Sequence, residues 1–125
     1  MNVRVKGLLL SATLGLWCAG PTTAEGAPVA GSLSERDADV RGTRLHYLIA
    51  GHGPAVLLLH GYAETSRMWR PIIPALSEKF TVIAPDLPGI GDSTIPVDGL
   101  DMKTAALRIH ELVKSLNVAQ ARATT

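Results

Sequence analysis

The sequence predicts an α/β fold with parallel strands at its centre, and three features predict it. Ala55-Val56-Leu57-Leu58-Leu59 and Phe80-Thr81-Val82-Ile83-Ala84 are short, almost continuously apolar runs, as strands are when helices cover both faces of their sheet. Between them Met68, Trp69, Ile72, Ile73, Leu76 and Phe80 recur at helical spacing. A longer amphipathic stretch follows the second run. Two such strands joined by a helical crossover form a right-handed parallel unit.

A hairpin precedes this unit. From Asp37 to Ala50 two extended stretches flank Arg41-Gly42, and Leu45, Tyr47 and Ile49 alternate with His46 and Leu48. The pattern predicts two antiparallel strands closed by a tight turn in which Gly42 takes a positive φ. Gly51-His52-Gly53-Pro54 ends it. In the crossover, Pro71 suits the first turn of a helix, while Pro74 delays regular helix formation. The last helix is the clearest. Met102, Ala105, Ala106, Ile109, Leu112, Val113 and Leu116 form one apolar stripe, with Asp101 as N-cap and Lys103, Arg108, Glu111 and Lys114 outside it.

The amino-terminal residues read differently. Arg4 and Lys6 precede an apolar run from Gly7 to Trp17, and Thr22-Thr23-Ala24 follows, the pattern of a signal peptide over residues 1–24. The run is shorter than the roughly 20 residues that span a bilayer. Secretion or delivery to a periplasm is therefore expected, without a stable membrane anchor. Residues 25–36, rich in Gly, Ala, Pro and Ser, read as a flexible leader, and 37–125 as the domain. Cys18, the only cysteine, falls in the signal, so the exported domain is expected to hold neither disulfide nor thiolate site. Setting aside Arg4 and Lys6 from the 12 basic residues leaves ten against 11 acidic ones, a net charge of −1. That balance excludes a basic nucleic-acid-binding surface.

Two segments carry chemistry, each directly after an apolar strand. The first is His60-Gly61-Tyr62-Ala63-Glu64-Thr65-Ser66, followed by Met68-Trp69; the second is Asp86-Leu87-Pro88-Gly89-Ile90-Gly91-Asp92-Ser93. In this order, with a helical stretch between them and a hairpin before them, they resemble the oxyanion-hole segment and the Asp-x-x-Gly-x-Gly-x-Ser loop of the α/β-hydrolase fold. The resemblance implies that the Tyr62 backbone N–H points at a developing oxyanion, that Gly61 lets the backbone turn beside the reacting atom, and that His60 orients the loop. Within the superfamily, His-Gly-Tyr-Ala-Glu with Met68-Trp69 is most similar to the epoxide hydrolase and haloacid or haloalkane dehalogenase branch, whose nucleophile is an aspartate. Ala63 stands where those relatives often carry proline. Serine esterases and C–C bond hydrolases share much of the pattern, and the implied partner is a small-molecule substrate with no cofactor.

No Gly-x-Ser-x-Gly or Gly-x-Asp-x-Gly occurs in the 125 residues, and the acid and histidine that follow the nucleophile in the family are missing too. Leu116 to Arg122 resembles the lead-in to the nucleophile strand. The expectation is an incomplete α/β-hydrolase fold, truncated before that strand and inactive alone. A non-catalytic exported binding module is the alternative from another class. Without the nucleophile strand, Ala55 to His60 becomes a sheet edge, which predicts self-association through that edge.

Simpler roles weigh on several residues. Gly89-Ile90-Gly91 after a strand suggests a dinucleotide turn, but Thr94 replaces the third glycine and Pro85 and Pro88 stiffen the loop. His46, His52 and His110 read as surface or strand-face residues, and no His pair has zinc-protease spacing. Asp86 and Asp92 suit loop hydrogen bonding, and Ser93 suits loop closure, since a nucleophilic serine needs a base beside it. Trp69 either lines a pocket or packs in the core.

Overall fold

The computed structural model describes residues 32–118 and 121–125; the expected signal peptide and the first part of the leader lie outside them. Strand β1 (Ser34–Val40) begins within the expected leader and pairs antiparallel with β2 (Thr43–Ala50), from Ser34 opposite Ile49 to Val40 opposite Thr43. Arg41 and Gly42 both have positive φ, 51° and 70°, the double left-handed turn whose twist matches a two-residue hairpin.

Three strands follow: β3 (Ala55–Leu58), β4 (Thr81–Pro85) and β5 (Ala121–Thr124). The sheet order is β1-β2-β4-β3-β5, antiparallel across β1, β2 and β4 and parallel across β4, β3 and β5. The expectation that β3 forms an edge is overturned. β5 lies parallel beside it, with Ala55 opposite Ala121 and Leu58 opposite Thr124, in the place reserved for the missing strand. Its residues are all exposed, so hydrophobic patterning gives no sign of it; the backbone groups of β3 supply the pairing.

The crossover is less regular than its apolar period suggests. A single 3-10 turn (Ser66–Trp69) is followed by a short helix α1 (Ile73–Ser77), with Pro74 in its first turn. The helix starts only where the missing proline N–H has no intrahelical partner to lose. These elements pack on one face against Leu48, Ala50, Leu58, Val82 and Ala84.

Helix α2 (Met102–Ser115) covers the other face, where Ile109 and Leu112 join Val40, Leu45, Tyr47, Leu57 and Ile83. Cover on both faces explains why β2 is buried almost throughout instead of alternating. No helix among the described residues is long and apolar enough to cross a membrane.

Asp101 caps α2: Thr104 N–H donates to its Oδ1 at 3.0 Å. That hydrogen bonding from Thr104 holds the Asp101 carboxyl below the usual carboxylate range. Because the folded value is the lower one, the cap contributes above the unfolded value of about 3.9 and is lost as pH falls through the folded value. Acid titration of the Thr104 amide signal is expected to show this release, and Asp101→Asn, a competent cap with no charge to lose, is expected to abolish it.

Three residues depart from the expected helix face: Arg108, expected outside the stripe, is 1% exposed, while Met102 and Ala106, expected within it, are exposed. Ala105, Arg108, Ile109 and Leu112 themselves follow the spacing of a buried face. Arg108 Nη2 pairs with Asp98, while its Nε and Nη1 are buried without a partner. Removing Asp98 strands a buried cation, whereas removing the cation does not. Asp98→Ala is expected to cost about 2–3 kcal/mol, less than a fully buried pair because Asp98 is half exposed, and Arg108→Met to be neutral or stabilising. Urea midpoints of the two variants check the asymmetry.

Candidate active site

Parallel strands β3 and β4 end side by side, so the segments His60–Ser66 and Asp86–Ser93 emerge at the same end of the sheet. Asp86 joins them. It is 1% exposed. Its Oδ1 accepts the Ser66 N–H at 2.6 Å and its Oδ2 accepts the Asp92 N–H at 2.9 Å. Gly91 has a φ of 58°, and a Cβ there would stand 2.2 Å from Asp86 Oδ2. Glycine is therefore required both by the left-handed backbone and by the carboxylate packed against it.

The main chain of Asp86 closes the loop on the hairpin. Asp86 N–H donates to the His46 carbonyl at 2.9 Å. Ser93 Oγ donates to the Asp86 carbonyl at 2.8 Å and accepts the His46 N–H at 2.9 Å. Both functions of the Ser93 hydroxyl are occupied, and no base stands at its proton.

His60, 4% exposed, bridges the same two segments. Leu87 N–H donates to Nε2 at 3.0 Å. This places the ring proton on Nδ1, which donates to the Gly61 carbonyl at 3.0 Å. Neither nitrogen is left to take a substrate proton. A third tie is the Arg67–Asp92 ion pair at 2.8 Å.

Beyond these ties the tip of the first segment projects freely. Tyr62 is fully exposed, and its ring lines no part of the cavity described below. Ala63 has a φ of 60°, a left-handed conformation closed to proline's fixed φ near −65°. At Gly61 the expected steric reason fails: φ is not positive, and a Cβ would meet nothing within 4 Å. Its bare backbone matters only toward something that approaches from outside.

Trp69 is half-buried against Leu48, Leu58 and Ile73 and has its Nε1 buried without a partner. It does not line the cavity of about 400 Å³ between α2 and strands β3 and β5, which His60, Leu57, Leu87, Met102 and Ile109 border. His110, read as a surface residue, is exposed yet borders this cavity.

His46, expected on the surface or on a strand face, lies in strand β2 and is buried. It is 8% exposed, with Nδ1 2.9 Å from Asp37 Oδ1, and that hydrogen bond from His46, ahead of the nearby Arg44 guanidinium, holds the Asp37 carboxyl below its usual range. Donor atoms of His46, Asp86 and Asp92 lie within 4.8 Å of one another. Both Asp86 oxygens and one of Asp92's are already committed to N–H donors, so the cluster is built as a hydrogen-bonded hub. Ser66, its other member, carries no signal in the sequence; it stands 20 residues from the aspartate it serves.

A hairpin feeding an antiparallel strand into a parallel core, with His-Gly and Asp-x-x-Gly-x-Gly-x-Ser loops at the carboxyl ends of adjacent strands, defines a hydrolase-type α/β sheet. The profile of the alpha/beta hydrolase fold family matches residues 54–124. The chain belongs to that family. It is 48% identical over 84 residues to a soluble epoxide hydrolase of Corynebacterium sp. (strain C12), covering 67% of this chain and 29% of that protein. A fluoroacetate dehalogenase of Burkholderia sp. is 37% identical over 83 residues, 62% of this chain and 27% of that protein. The ligand-free structure of the epoxide hydrolase CorEH superposes with a TM-score of 0.70 at 43% identity, over 74% of this chain and 32% of that one. The chain thus spans under a third of the length of these relatives.

Proposed function

We propose that this chain is the oxyanion side of a hydrolase that works by nucleophilic attack on an epoxide or carbon–halogen bond. The observation that carries the reading is the tip of the first segment: Tyr62, fully exposed, follows a glycine with open space beside it at the carboxyl end of β3. His60 and Asp86 position this tip from behind and touch no substrate. β5 ends beside it, with Leu59 N–H donating to the Thr124 carbonyl at 3.0 Å. A nucleophile just beyond β5 would therefore face the Tyr62 N–H across one strand spacing, the geometry that stabilises charge on a substrate oxygen or leaving group.

The 125 residues contain no nucleophile elbow, so the chain alone is expected to be inactive. Purified protein is expected to give no turnover of an epoxide, a haloacetate or a p-nitrophenyl ester above the uncatalysed rate. Ester turnover would replace this reading with a serine esterase; epoxide turnover would place a nucleophile within these residues. We also propose export, on the strength of Arg4, Lys6 and the apolar run to Trp17; a shortened chain beginning at Glu25 in the extracytoplasmic fraction is the expected result.

A further inference from the structure

We infer that Ala63 is a positioning residue whose left-handed backbone keeps the Tyr62 N–H aimed away from His60, toward the open side of the tip; the inference rests on reading that tip as an oxyanion site. Among the described residues, Arg41, Asn117 and Ala63 have a left-handed φ without being glycine, at 51°, 54° and 60°. The first two have local reasons. Arg41 shares the hairpin turn with Gly42, and Asn117 stands just past the end of α2, where helices commonly finish on a left-handed residue. Ala63 stands in an exposed turn at a place that ordinarily takes Gly or Asn. Its Cβ makes the conformation costly and its side chain offers no hydrogen bond in return.

The turn is not held by its own backbone. No main-chain hydrogen bond joins Gly61 to Glu64 among the described residues. The Gly61 carbonyl instead accepts the His60 Nδ1 proton at 3.0 Å, and His60 is itself fixed by the Leu87 N–H. On the far side, the Ser66 N–H is fixed to Asp86 Oδ1 at 2.6 Å. Only Tyr62 to Thr65 lie between the two clamps, so the chain must double back within four residues, and Ala63 makes that reversal. A left-handed residue persists where its surroundings fix it in this way.

The first clamp sets the aim. The Gly61 carbonyl and the Tyr62 N–H belong to one peptide unit, and that unit is trans, so the two groups point in opposite directions. With the carbonyl turned back to His60, the N–H faces outward. The hydrogen bond on the carbonyl also polarises the N–H. A residue at 63 that refuses the left-handed conformation can satisfy only one clamp, and the peptide is then free to rotate.

The test uses the full chain with nitrogen-labelled histidine and four residues at position 63. Gly61 to Glu64 are all exposed, so Asn and Val differ there mainly in their tolerance of positive φ. The parent, Ala63→Gly and Ala63→Asn are expected to show the His60 ring proton on Nδ1, protected from exchange, and Ala63→Val to lose that protection. Ala63→Gly is also expected to raise the urea midpoint, since glycine takes this φ without a Cβ clash. Equal protection in the Asn and Val variants, or a midpoint that Ala63→Gly leaves unchanged or lowers, would overturn the inference. In the Corynebacterium epoxide hydrolase carrying the matched 84 residues of this chain, Ala63→Val is expected to lower kcat about 10²-fold with KM unchanged, and the conservative Ala63→Asn to restore it. Equal rates for these two, with Tyr62→Pro still slow, would overturn the role of Ala63 alone. Tyr62→Pro without effect would overturn the oxyanion reading and the role of Ala63 with it.

Discussion

Asp86→Ala is expected to destabilise the protein by about 2–6 kcal/mol, since each buried donor left unmade costs about 1–3 kcal/mol and two are left here. Those donors are the N–H groups of Ser66 and Asp92, and both reach a carboxylate that solvent scarcely touches. Water cannot readily take over the role, because Gly91 packs against the same oxygens. Asp86→Asn is no remedy: its amide has one acceptor oxygen, and its NH2 would face one of the N–H donors. A domain has about 5–15 kcal/mol of stability in total, so the loss is a large fraction of the whole. Equilibrium urea unfolding measures it. A cost below about 1 kcal/mol, the level of a surface substitution, would mean that Asp86 is not the hub. Gly91→Ala tests the same hub from its other side and is expected to destabilise too, since its Cβ would stand 2.2 Å from the carboxylate.

What could be read in advance was whatever has a local period. The hairpin, β3, β4 and α2 were legible because their burial repeats every two residues, without a break, or along a helical stripe. β5 was not, since Ala121-Arg122-Ala123-Thr124 has no apolar pattern and becomes a strand through pairing with β3. α1 is legible as a helix but not in its extent: it starts only at Ile73, with Pro74 in its first turn and Pro71, expected there, lying before it. Arg108 was misplaced by its charge although its spacing with Ala105 and Leu112 was that of the buried face. At the site, His60, Asp86 and Ser93 were legible as a group because each follows an apolar strand. Their partners were not: His46 meets Ser93 across 47 residues, and only the antiparallel approach of β2 to β4 brings them together. The steric reason for Gly61 lay in a pattern, and the structure gives none of its own.

The second large effect concerns the Tyr62 N–H, and it requires a protein that turns over. Removing one donor from an oxyanion hole costs about 10²–10³-fold in rate, because the developing charge sits in a site with few other donors. The side chain at that position is expected to be dispensable, because Tyr62 is fully exposed. Tyr62→Ala keeps the N–H and Tyr62→Pro removes it. Those two variants separate a backbone role from a side-chain role at one position.

The most direct measurement is epoxide turnover by a chimera in which the matched 84-residue segment of this chain replaces that of the Corynebacterium soluble epoxide hydrolase. The chimera is expected to fold and turn over, Tyr62→Ala to stay within a few-fold of it, and Tyr62→Pro to lose about 10²–10³-fold in kcat while remaining folded. A folded chimera without activity, or one in which Tyr62→Pro turns over as fast as Tyr62→Ala, would contradict the assignment of this segment as the oxyanion side of a hydrolase.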